Sequence, residues 1–189
     1  SRLIHDGADF RQIDKVMERF GWPMGPAYLL DVIGVDTAVH CQDVMASGFT
    51  RMNLDFISAI DKLYQQKDLG QKTSKGFYLY EADKKGKPKK LPNSEIDALV
   101  ESVQTSPRKF TDEEIVERMM VAMCIETARC IEDNIVGTAI EADMGLILGL
   151  GFPAFRGGAL RYVDSLGVSK FCEIAEKYSD MGELYTPTK

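Results

Sequence analysis

Apolar residues recur every three or four positions along most of the chain, which is the spacing of one face of an amphipathic helix. Three such stripes are Phe10, Ile13, Val16, Met17 and Phe20; Leu54, Ile57, Ile60, Leu63 and Tyr64; and Val116, Met119, Met120, Met123, Cys124, Thr127 and Ile131. The third stripe follows Thr111 and predicts a long helix that ends near Asn134. The pattern therefore predicts a mainly helical protein.

One segment breaks the helical pattern. Residues 76–80 are rich in aromatic side chains and are followed by a polar, glycine-containing stretch at 83–87, which is typical of a β-hairpin. We expect this hairpin over about 76–91. It would close a first helical unit at residues 1–92, and a second unit would occupy residues 93–189.

Capping residues predict where several helices begin. Asp9, Thr111 and Thr138 each precede Gln or Glu by three positions, as in a reciprocal capping box. Further predicted starts are Pro26 in the first turn of a helix reaching Ile33, and Asp36, Ser94 and Ser169 as N-caps. These starts divide the helical pattern into short elements.

The chain repeats itself, with an offset that drifts from 127 to 133 residues. The matched pairs are Ile4–Gly7 with Ile131–Asn134, Asp9–Gln12 with Thr138–Glu141, Asp14 with Asp143, Gly21–Pro23 with Gly151–Pro153, and Asp31–Val35 with Asp164–Val168. Small drifts of this kind are typical of a duplicated unit with loop insertions. The sequence predicts two similar helical units in tandem.

The duplication predicts that the first unit is incomplete. The long helix of the second copy begins near Thr111, whereas Ser1 corresponds to Ala128. The first copy therefore has no counterpart of residues 111–127. We expect the chain to be a fragment of a longer protein.

Composition narrows the functional classes. Hydrophobic residues make up 44% and charged residues 28% of the 189 residues, which is typical of a globular chain. A net charge of −6 argues against a nucleic-acid-binding protein. Cys41, Cys124, Cys130 and Cys172 form no Cys-x-x-Cys pair. We expect a soluble cytoplasmic protein whose cysteines are buried free thiols.

Three motifs have weak functional interpretations. Residues 149–154 satisfy the pattern G-x-G-x-x-G/A, but a predicted helix precedes them, so we expect no dinucleotide site. His40, near Asp36 and Asp43 on a helix, suits a surface ion pair better than a general base. Five lysines at 84–90 suit a solvated loop better than a phosphate site. No metal-ligand spacing is present, and we predict no metal site.

Two segments resemble the 3-hydroxyacyl-CoA dehydrogenase family. Pro23–Asp36 (PMGPAYLLDVIGVD) resembles its PMGPxxLxDxxGxD segment, and Gly70–Tyr80 (GQKTSKGFYLY) resembles its G-x-K-[ST]-G-x-G-F-Y-x-Y signature. Ser74 replaces the usual glycine of that signature, so the turn there is expected to differ slightly. Two copies in tandem resemble the α subunit of bacterial fatty acid oxidation complexes.

The resemblance implies an all-α fold of the 6-phosphogluconate-dehydrogenase C-terminal-like type. It also implies NAD-dependent oxidation of 3-hydroxyacyl-CoA in fatty acid β-oxidation, beside enoyl-CoA hydratase (lyase) and isomerase activities. NAD would be bound by a Rossmann domain outside this chain, and a thiolase β-subunit would be a partner. By this resemblance the chain contains no catalytic, cofactor-binding or metal residues.

The resemblance nominates Met24, Gly25, Pro26 and Leu148 as substrate-lining residues for an acyl-CoA. Leu148 stands where many α subunits carry a substrate-contacting tyrosine. Glu117 aligns with a substrate-contacting asparagine of the first copy, and its different chemistry implies a supporting role for the second copy. The isolated chain is expected to be inactive.

Two alternatives remain open. One is a stand-alone helical binding or assembly module without catalysis, against which the incomplete first copy argues. The other is a fragment of a single-activity dehydrogenase, against which the tandem duplication argues.

Overall fold

The fold is mainly helical, as predicted. A computed structural model describes residues 1–188, which contain ten α-helices and one small sheet. The helices are α1 (Arg2–His5), α2 (Phe10–Phe20), α3 (Pro26–Ile33), α4 (Val35–Gly48), α5 (Ala59–Gln66), α6 (Ile96–Glu101), α7 (Asp112–Glu132), α8 (Ala139–Leu150), α9 (Ala159–Leu166) and α10 (Val168–Glu176). None of them, in the part of the chain that is described, is long and apolar enough to cross a membrane.

The predicted hairpin is confirmed. Strand β1 (Leu79–Ala82) pairs antiparallel with β2 (Pro88–Leu91), and Tyr80 lies opposite Lys90. At the tip, the Asp83 carboxylate accepts backbone hydrogen bonds from Lys85 and Lys87 at 2.7 and 2.8 Å. A side chain that receives two amides holds the turn in one conformation.

The chain forms two compact units. The first comprises residues 1–15 and 24–110, and the second comprises residues 16–23 and the chain from 111 onward. The predicted division into sequence copies at residues 92 and 93 stays a prediction.

The predicted apolar stripe of α2 is buried along its whole length. Phe10 and Ile13 belong to the core of the first unit, and Val16, Met17 and Phe20 belong to that of the second. The stripe predicted over residues 54–64 is only partly correct. Helix α5 begins after Ser58, so Ile60 and Leu63 are buried while Ile57 and Tyr64 are exposed.

The two capped helices of the second unit begin where the sequence predicts. The Thr111 hydroxyl accepts from the Glu114 amide at 3.1 Å, and the Thr138 hydroxyl accepts from the Glu141 amide at 3.2 Å. Helix α7 buries Met120 and Cys124 as expected, but it also buries Arg118. The apolar pattern does not predict this buried arginine, because it considers only apolar residues.

Three predicted N-caps are wrong. Helices α4 and α10 begin one residue before Asp36 and Ser169, with Gly34 and Gly167 as N-caps at φ 97° and 86°. Glycine adopts this backbone conformation without the strain that a Cβ would cause. Ser94 also caps nothing: α6 begins at Ile96, and its entry is held by the Asn93 side chain, which accepts from the Glu95 amide.

The four cysteines are free, as predicted, but they are not all buried. Cys124 is buried and Cys130 is half-buried, whereas Cys41 and Cys172 are exposed. Both exposed cysteines lie on outward positions of α4 and α10, so the prediction of buried thiols is wrong for them.

Candidate functional site

The start of α3 is held by a buried carboxylate on α2. The amides of Ala27 and Tyr28 donate to Asp14 at 2.7 and 3.1 Å. Gly25 is the N-cap of α3, and a Cβ at this position would lie 2.3 Å from Asp14 Cβ. The Met24–Gly25–Pro26 segment therefore needs glycine at its centre because the backbone lies directly against the aspartate.

A second buried carboxylate, Asp31, joins α3 to the hairpin. It accepts from the amides of Phe77 and Tyr78 at 3.0 and 2.9 Å, and from the Tyr80 hydroxyl at 2.8 Å. A Cβ on Gly76 would lie 2.1 Å from an Asp31 carboxylate oxygen. The two sequence segments that carry the family resemblance thus meet at one carboxylate.

Tyr78 connects the two carboxylates into one cluster. Its amide donates to Asp31 and its hydroxyl donates to Asp14 at 2.7 Å. Burial raises the pKa of both Asp14 and Asp31, although the hydrogen bonds they accept act in the opposite direction. Each carboxylate receives three internal donors, so the cluster braces the first unit and offers no free group for acid–base chemistry.

Lys90 is the one hairpin lysine that reaches this cluster in the described structure. Its ammonium lies 4.2 Å from the Tyr28 ring centre and 4.6 Å from that of Tyr78, which are distances for a cation–π contact. All five lysines of the run, Lys84, Lys85, Lys87, Lys89 and Lys90, are exposed. Lys90 differs from the others in the contact of its ammonium with these two rings.

The turn that contains Ser74 requires a left-handed residue. Ser74 has φ 61° and ψ 9°, a conformation that glycine adopts more readily than serine. Nearby, Lys72 donates to Asp36 at 2.7 Å, and this ammonium lowers the pKa of the Asp36 carboxyl. Asp36 pairs with Lys72 rather than with His40, which lies exposed on α4.

The second unit repeats the Asp14 arrangement. The amides of Leu160 and Arg161, at the start of α9, donate to Asp143 at 2.8 and 3.0 Å. A Cβ on Gly158 would lie 2.2 Å from Asp143 Cγ. Asp143 and Gly158 thus do in the second unit what Asp14 and Gly25 do in the first, which supports the duplication.

An open cleft of about 440 Å³ lies within the second unit. Its lining includes Arg19, Phe20, Glu117 and Arg156. The Arg156 guanidinium lies 3.7 Å from the Phe20 ring centre, and its Nε donates to the Phe20 carbonyl at 2.9 Å. The cleft combines an apolar floor with fixed charges of both signs.

Glu117 is fully engaged by its own unit. It accepts from Lys177 at 3.0 Å and from the Tyr178 hydroxyl. Burial, assisted by this hydrogen bond to Glu117, raises the pKa of the Tyr178 hydroxyl. The supporting role expected for Glu117 stays a prediction, and its partners are structural.

The four nominated substrate-lining residues occupy different surroundings. Gly25 is buried, and Met24 and Pro26 are half-buried beside it at the start of α3. Leu148 lies on α8 and its side chain is 79% exposed. Met24, Gly25 and Pro26 are brought together by the backbone, and the role of all four as substrate contacts stays a prediction.

Residues 149–154 do not fit a dinucleotide. They follow helix α8, whose last residue is Leu150, and Gly151 ends that helix in the left-handed conformation. A single 3₁₀ turn, Ala154–Arg156, comes next. A phosphate-binding loop needs a strand before the glycines and a helix N-terminus after them, and neither is present here.

Sequence reasoning missed the two residues that organise the first unit. The sequence identifies Asp14 only through its repeat at Asp143, and Asp31 only as part of the Pro23–Asp36 segment. The available signal was the pairing of a repeated aspartate with a repeated glycine, Gly25 and Gly158. Within residues 1–188, no group of three potential metal-binding side chains occurs.

Comparison with known proteins finds similar sequences and similar structures. Residues 1–80 match the model of the 3-hydroxyacyl-CoA dehydrogenase, C-terminal domain. The whole chain is 58% identical to the fatty acid oxidation complex subunit alpha of Pseudomonas syringae pv. syringae (strain B728a) and 56% identical to that of Ectopseudomonas oleovorans. It covers 26% of each, so the chain spans about a quarter of the length of these curated relatives.

Two solved structures share the fold. The dehydrogenase part of multifunctional enzyme 1 from C. elegans matches 97% of the chain, and 42% of that protein is covered, with a TM-score of 0.68 and 25% identity. The 3-hydroxybutyryl-CoA dehydrogenase of Escherichia coli K12 matches the whole chain, and 55% of that protein is covered, with a TM-score of 0.73 and 15% identity. These matches confirm the predicted resemblance and the predicted fold class.

Proposed function

We propose that this chain, whose residues 1–80 match the C-terminal domain of 3-hydroxyacyl-CoA dehydrogenases, is the substrate-side part of such an enzyme in fatty acid β-oxidation. The observation that carries the proposal is the meeting of the two signature segments at Asp31. Asp31 lies in the first segment, Pro23–Asp36, and it accepts hydrogen bonds from the amides of Phe77 and Tyr78 in the second, which are 46 and 47 residues further along the chain.

The proposed reaction converts 3-hydroxyacyl-CoA and NAD⁺ to 3-oxoacyl-CoA, NADH and a proton. NAD, when bound, supplies the hydride acceptor for C3 of the substrate. We assign NAD binding to a domain outside this chain, since residues 149–154 lack the strand–turn–helix context. The contribution of this chain is to hold the Met24–Gly25–Pro26 backbone in place.

Asp14 fixes that backbone in two ways. It receives the first amides of α3, and it leaves no space for a side chain at residue 25. We propose that Met24, Gly25 and Pro26 line the acyl-CoA site. They do not belong to the lining of the open cleft in the second unit. A backbone held this closely presents a preorganised wall to a substrate.

The parent protein is proposed to carry an enoyl-CoA hydratase activity as well, and to assemble with a thiolase β-subunit. The relatives' name, fatty acid oxidation complex subunit alpha, supports assembly with at least one other subunit. We also propose a cytoplasmic location, which suits four free cysteines.

The test compares two purified proteins: the 189-residue chain and the natural polypeptide that contains it. NADH formation from 3-hydroxyacyl-CoA is measured for both, and the mass of the natural polypeptide is determined in source cells with an antibody against this chain. We expect turnover by a polypeptide several times heavier than 21.1 kDa and none by the chain alone. Turnover by the chain alone would contradict the proposal. A native mass near 21.1 kDa would instead favour the binding-module alternative.

A further inference from the structure

Arg156, in the open cleft of the second unit, is held by aromatic rings instead of a carboxylate. Its guanidinium lies 3.7, 5.0 and 5.8 Å from the ring centres of Phe20, Phe155 and Tyr162. Its Nε donates to the Phe20 carbonyl at 2.9 Å. Among residues 1–188 no carboxylate forms an ion pair with Arg156, so its charge is available to a ligand.

The terminal nitrogens of Arg156 form the free end of this guanidinium. Nη1 and Nη2 donate no hydrogen bond within residues 1–188, and neither is buried from solvent. The planar fork of an arginine matches a carboxylate through two parallel hydrogen bonds. Because the Nε contact and the aromatic rings already restrict the side chain, little of its conformational freedom would be lost on binding.

Arg156 belongs to a segment that is longer in the second copy than in the first. Four residues separate Pro153 from Gly158, whereas one residue alone separates their counterparts Pro23 and Gly25. Both copies nevertheless place the glycine directly against its aspartate. The part of the fold that the two copies share therefore does not require Arg156.

Apolar side chains from four helices surround the charged groups of the cleft. Val16 of α2, Val116 of α7, Leu166 of α9 and Ile174 of α10 belong to its lining. The volume of about 440 Å³ lies within the range of small-molecule sites. A concave, mainly apolar site with a few polar groups suits a small molecule that is apolar at one end and charged at the other.

The other charged groups of the cleft limit the charge of its ligand. Arg19 donates to Asp112 at 2.7 Å, and Glu117 accepts from Lys177 at 3.0 Å, so these charges are neutralised within the unit. Glu113 adds an exposed carboxylate. A polyphosphate, such as that of a CoA ester, would bring several negative charges close to these acids, whereas a monocarboxylate brings one. The cleft therefore favours a singly charged anion.

We propose that this cleft binds a small monocarboxylate with an apolar tail, such as a free fatty acid of medium chain length. The carboxylate binds the terminal nitrogens of Arg156, and the tail lies among the apolar side chains of the cleft. The Tyr162 hydroxyl, which forms no hydrogen bond within residues 1–188, is a second donor in the lining. The inference does not depend on the proposed function.

The first experiment uses the natural polypeptide that contains this chain, with octanoate as the probe. Phenylglyoxal modifies accessible guanidiniums, and peptide mass spectrometry follows the modification of Arg156 with and without octanoate. Arg161, whose side chain is 71% exposed on α9, is the reference. We expect octanoate to slow the modification of Arg156 several-fold and to leave that of Arg161 unchanged. Octan-1-ol, which lacks the carboxylate, should protect neither residue.

The second experiment compares Arg156→Gln with Arg161→Gln, which removes the same charge from an exposed position nearby. Octanoate binding is measured by calorimetry, without NAD and with 3-hydroxyacyl-CoA present to fill the proposed substrate site. We expect Arg156→Gln to bind octanoate at least about tenfold more weakly than the wild type, because charged hydrogen bonds are lost. Arg161→Gln should bind it as the wild type does. Thermal unfolding checks that both variants fold, and the modification experiment needs no variant.

Four results would overturn the inference. Unchanged modification of Arg156 in the presence of octanoate would mean that the carboxylate does not bind there. Equal protection by inorganic phosphate would identify a general anion site. Stronger protection by octanoyl-CoA than by octanoate would identify a CoA ester as the ligand. Equal octanoate affinity of folded Arg156→Gln and the wild type would leave Arg156 a structural role only. NADH formation is measured apart from all four, so the proposed function is judged separately.

Discussion

In the first copy Asp14 receives the amides of Ala27 and Tyr28, and in the second copy Asp143 receives those of Leu160 and Arg161. The copies diverge one helix later. Asp31 is fully buried against the hairpin, whereas its counterpart Asp164 has a side chain that is 63% exposed. Both copies therefore share the aspartate that binds the start of the following helix, Asp14 or Asp143. Only in the first copy does the hairpin bury a second aspartate, Asp31.

The largest difference between the copies is expected when the free energy of unfolding of Asp31→Ala is compared with that of Asp164→Ala. Removing Asp31 leaves three buried donors without their acceptor, at about 1–3 kcal/mol each, so we expect a loss of about 3 kcal/mol or more. Asp164→Ala should change the free energy of unfolding by less than about 0.5 kcal/mol. Urea denaturation followed by far-UV circular dichroism measures both.

Trp22 is the single tryptophan and lies in the second unit. Its fluorescence therefore reports that unit, and comparison with circular dichroism shows whether the Asp31 loss is confined to the first unit. Equal losses for the two variants would contradict the view that the hairpin changed the role of this aspartate.

The shared device is tested by Gly25→Ala and Gly158→Ala. Each Cβ would collide with its aspartate, at a cost of about 1–3 kcal/mol for overpacking. Gly158 has φ 111°, so its substitution adds backbone strain of about 1 kcal/mol. The midpoint of thermal unfolding is therefore expected to be lowest for Gly158→Ala, intermediate for Gly25→Ala and highest for the wild type.

Gly149→Ala is the matched control, because it lies inside α8 with open space around its Cβ. Alanine should stabilise this helix by about 0.5–1 kcal/mol. A collision variant as stable as this control would show that the glycine–aspartate contact is dispensable.

The pH dependence of the Asp14→Asn variant tests the buried carboxylate of the first copy. Burial raises the folded-state pKa of Asp14 above its ordinary value of 3.8. The folded protein then binds the proton more tightly than the unfolded chain, so this group's contribution to stability is greatest below 3.8 and is lost as pH rises through the folded pKa. Asp14→Asn should therefore cost less stability near neutral pH than near about pH 4. The urea midpoints of the wild type and the variant at the two pH values measure this cost. A larger cost at neutral pH would contradict the prediction.

A small effect is expected at Ser74, in the turn that precedes the hairpin of the first copy. Ser74→Gly relieves a left-handed serine and should stabilise the first unit by about 0.5–1 kcal/mol. Ser74→Ala is the control and should bring no gain, because alanine keeps the Cβ. Destabilisation by glycine would mean that the serine hydroxyl has a role that the structure does not show.

Helix periodicity and capping predicted much of the fold. The buried stripe of α2, the start of α7 at Thr111 and the hairpin all follow from local spacing. The Asp14–Tyr78–Asp31 cluster does not, because it joins positions 46 to 64 residues apart and no local pattern specifies long-range hydrogen bonds. The side chains of Asp36 and Ser169 predict N-caps, but the helices begin one residue earlier because Gly34 and Gly167 adopt the positive φ that the N-cap positions have.

Tyr78 also sets an order of events during synthesis. Its amide donates to Asp31 and its hydroxyl donates to Asp14. Both carboxylates lie on helices that leave the ribosome well before Tyr78. Until residues 77–80 emerge, Asp31 has no partner from the hairpin and stays in contact with water, so the nascent first unit remains open. A domain folds as a unit once its distant contacts are available. The Asp143 site of the second unit needs amides only 17 and 18 residues further along, so it does not depend on a hairpin.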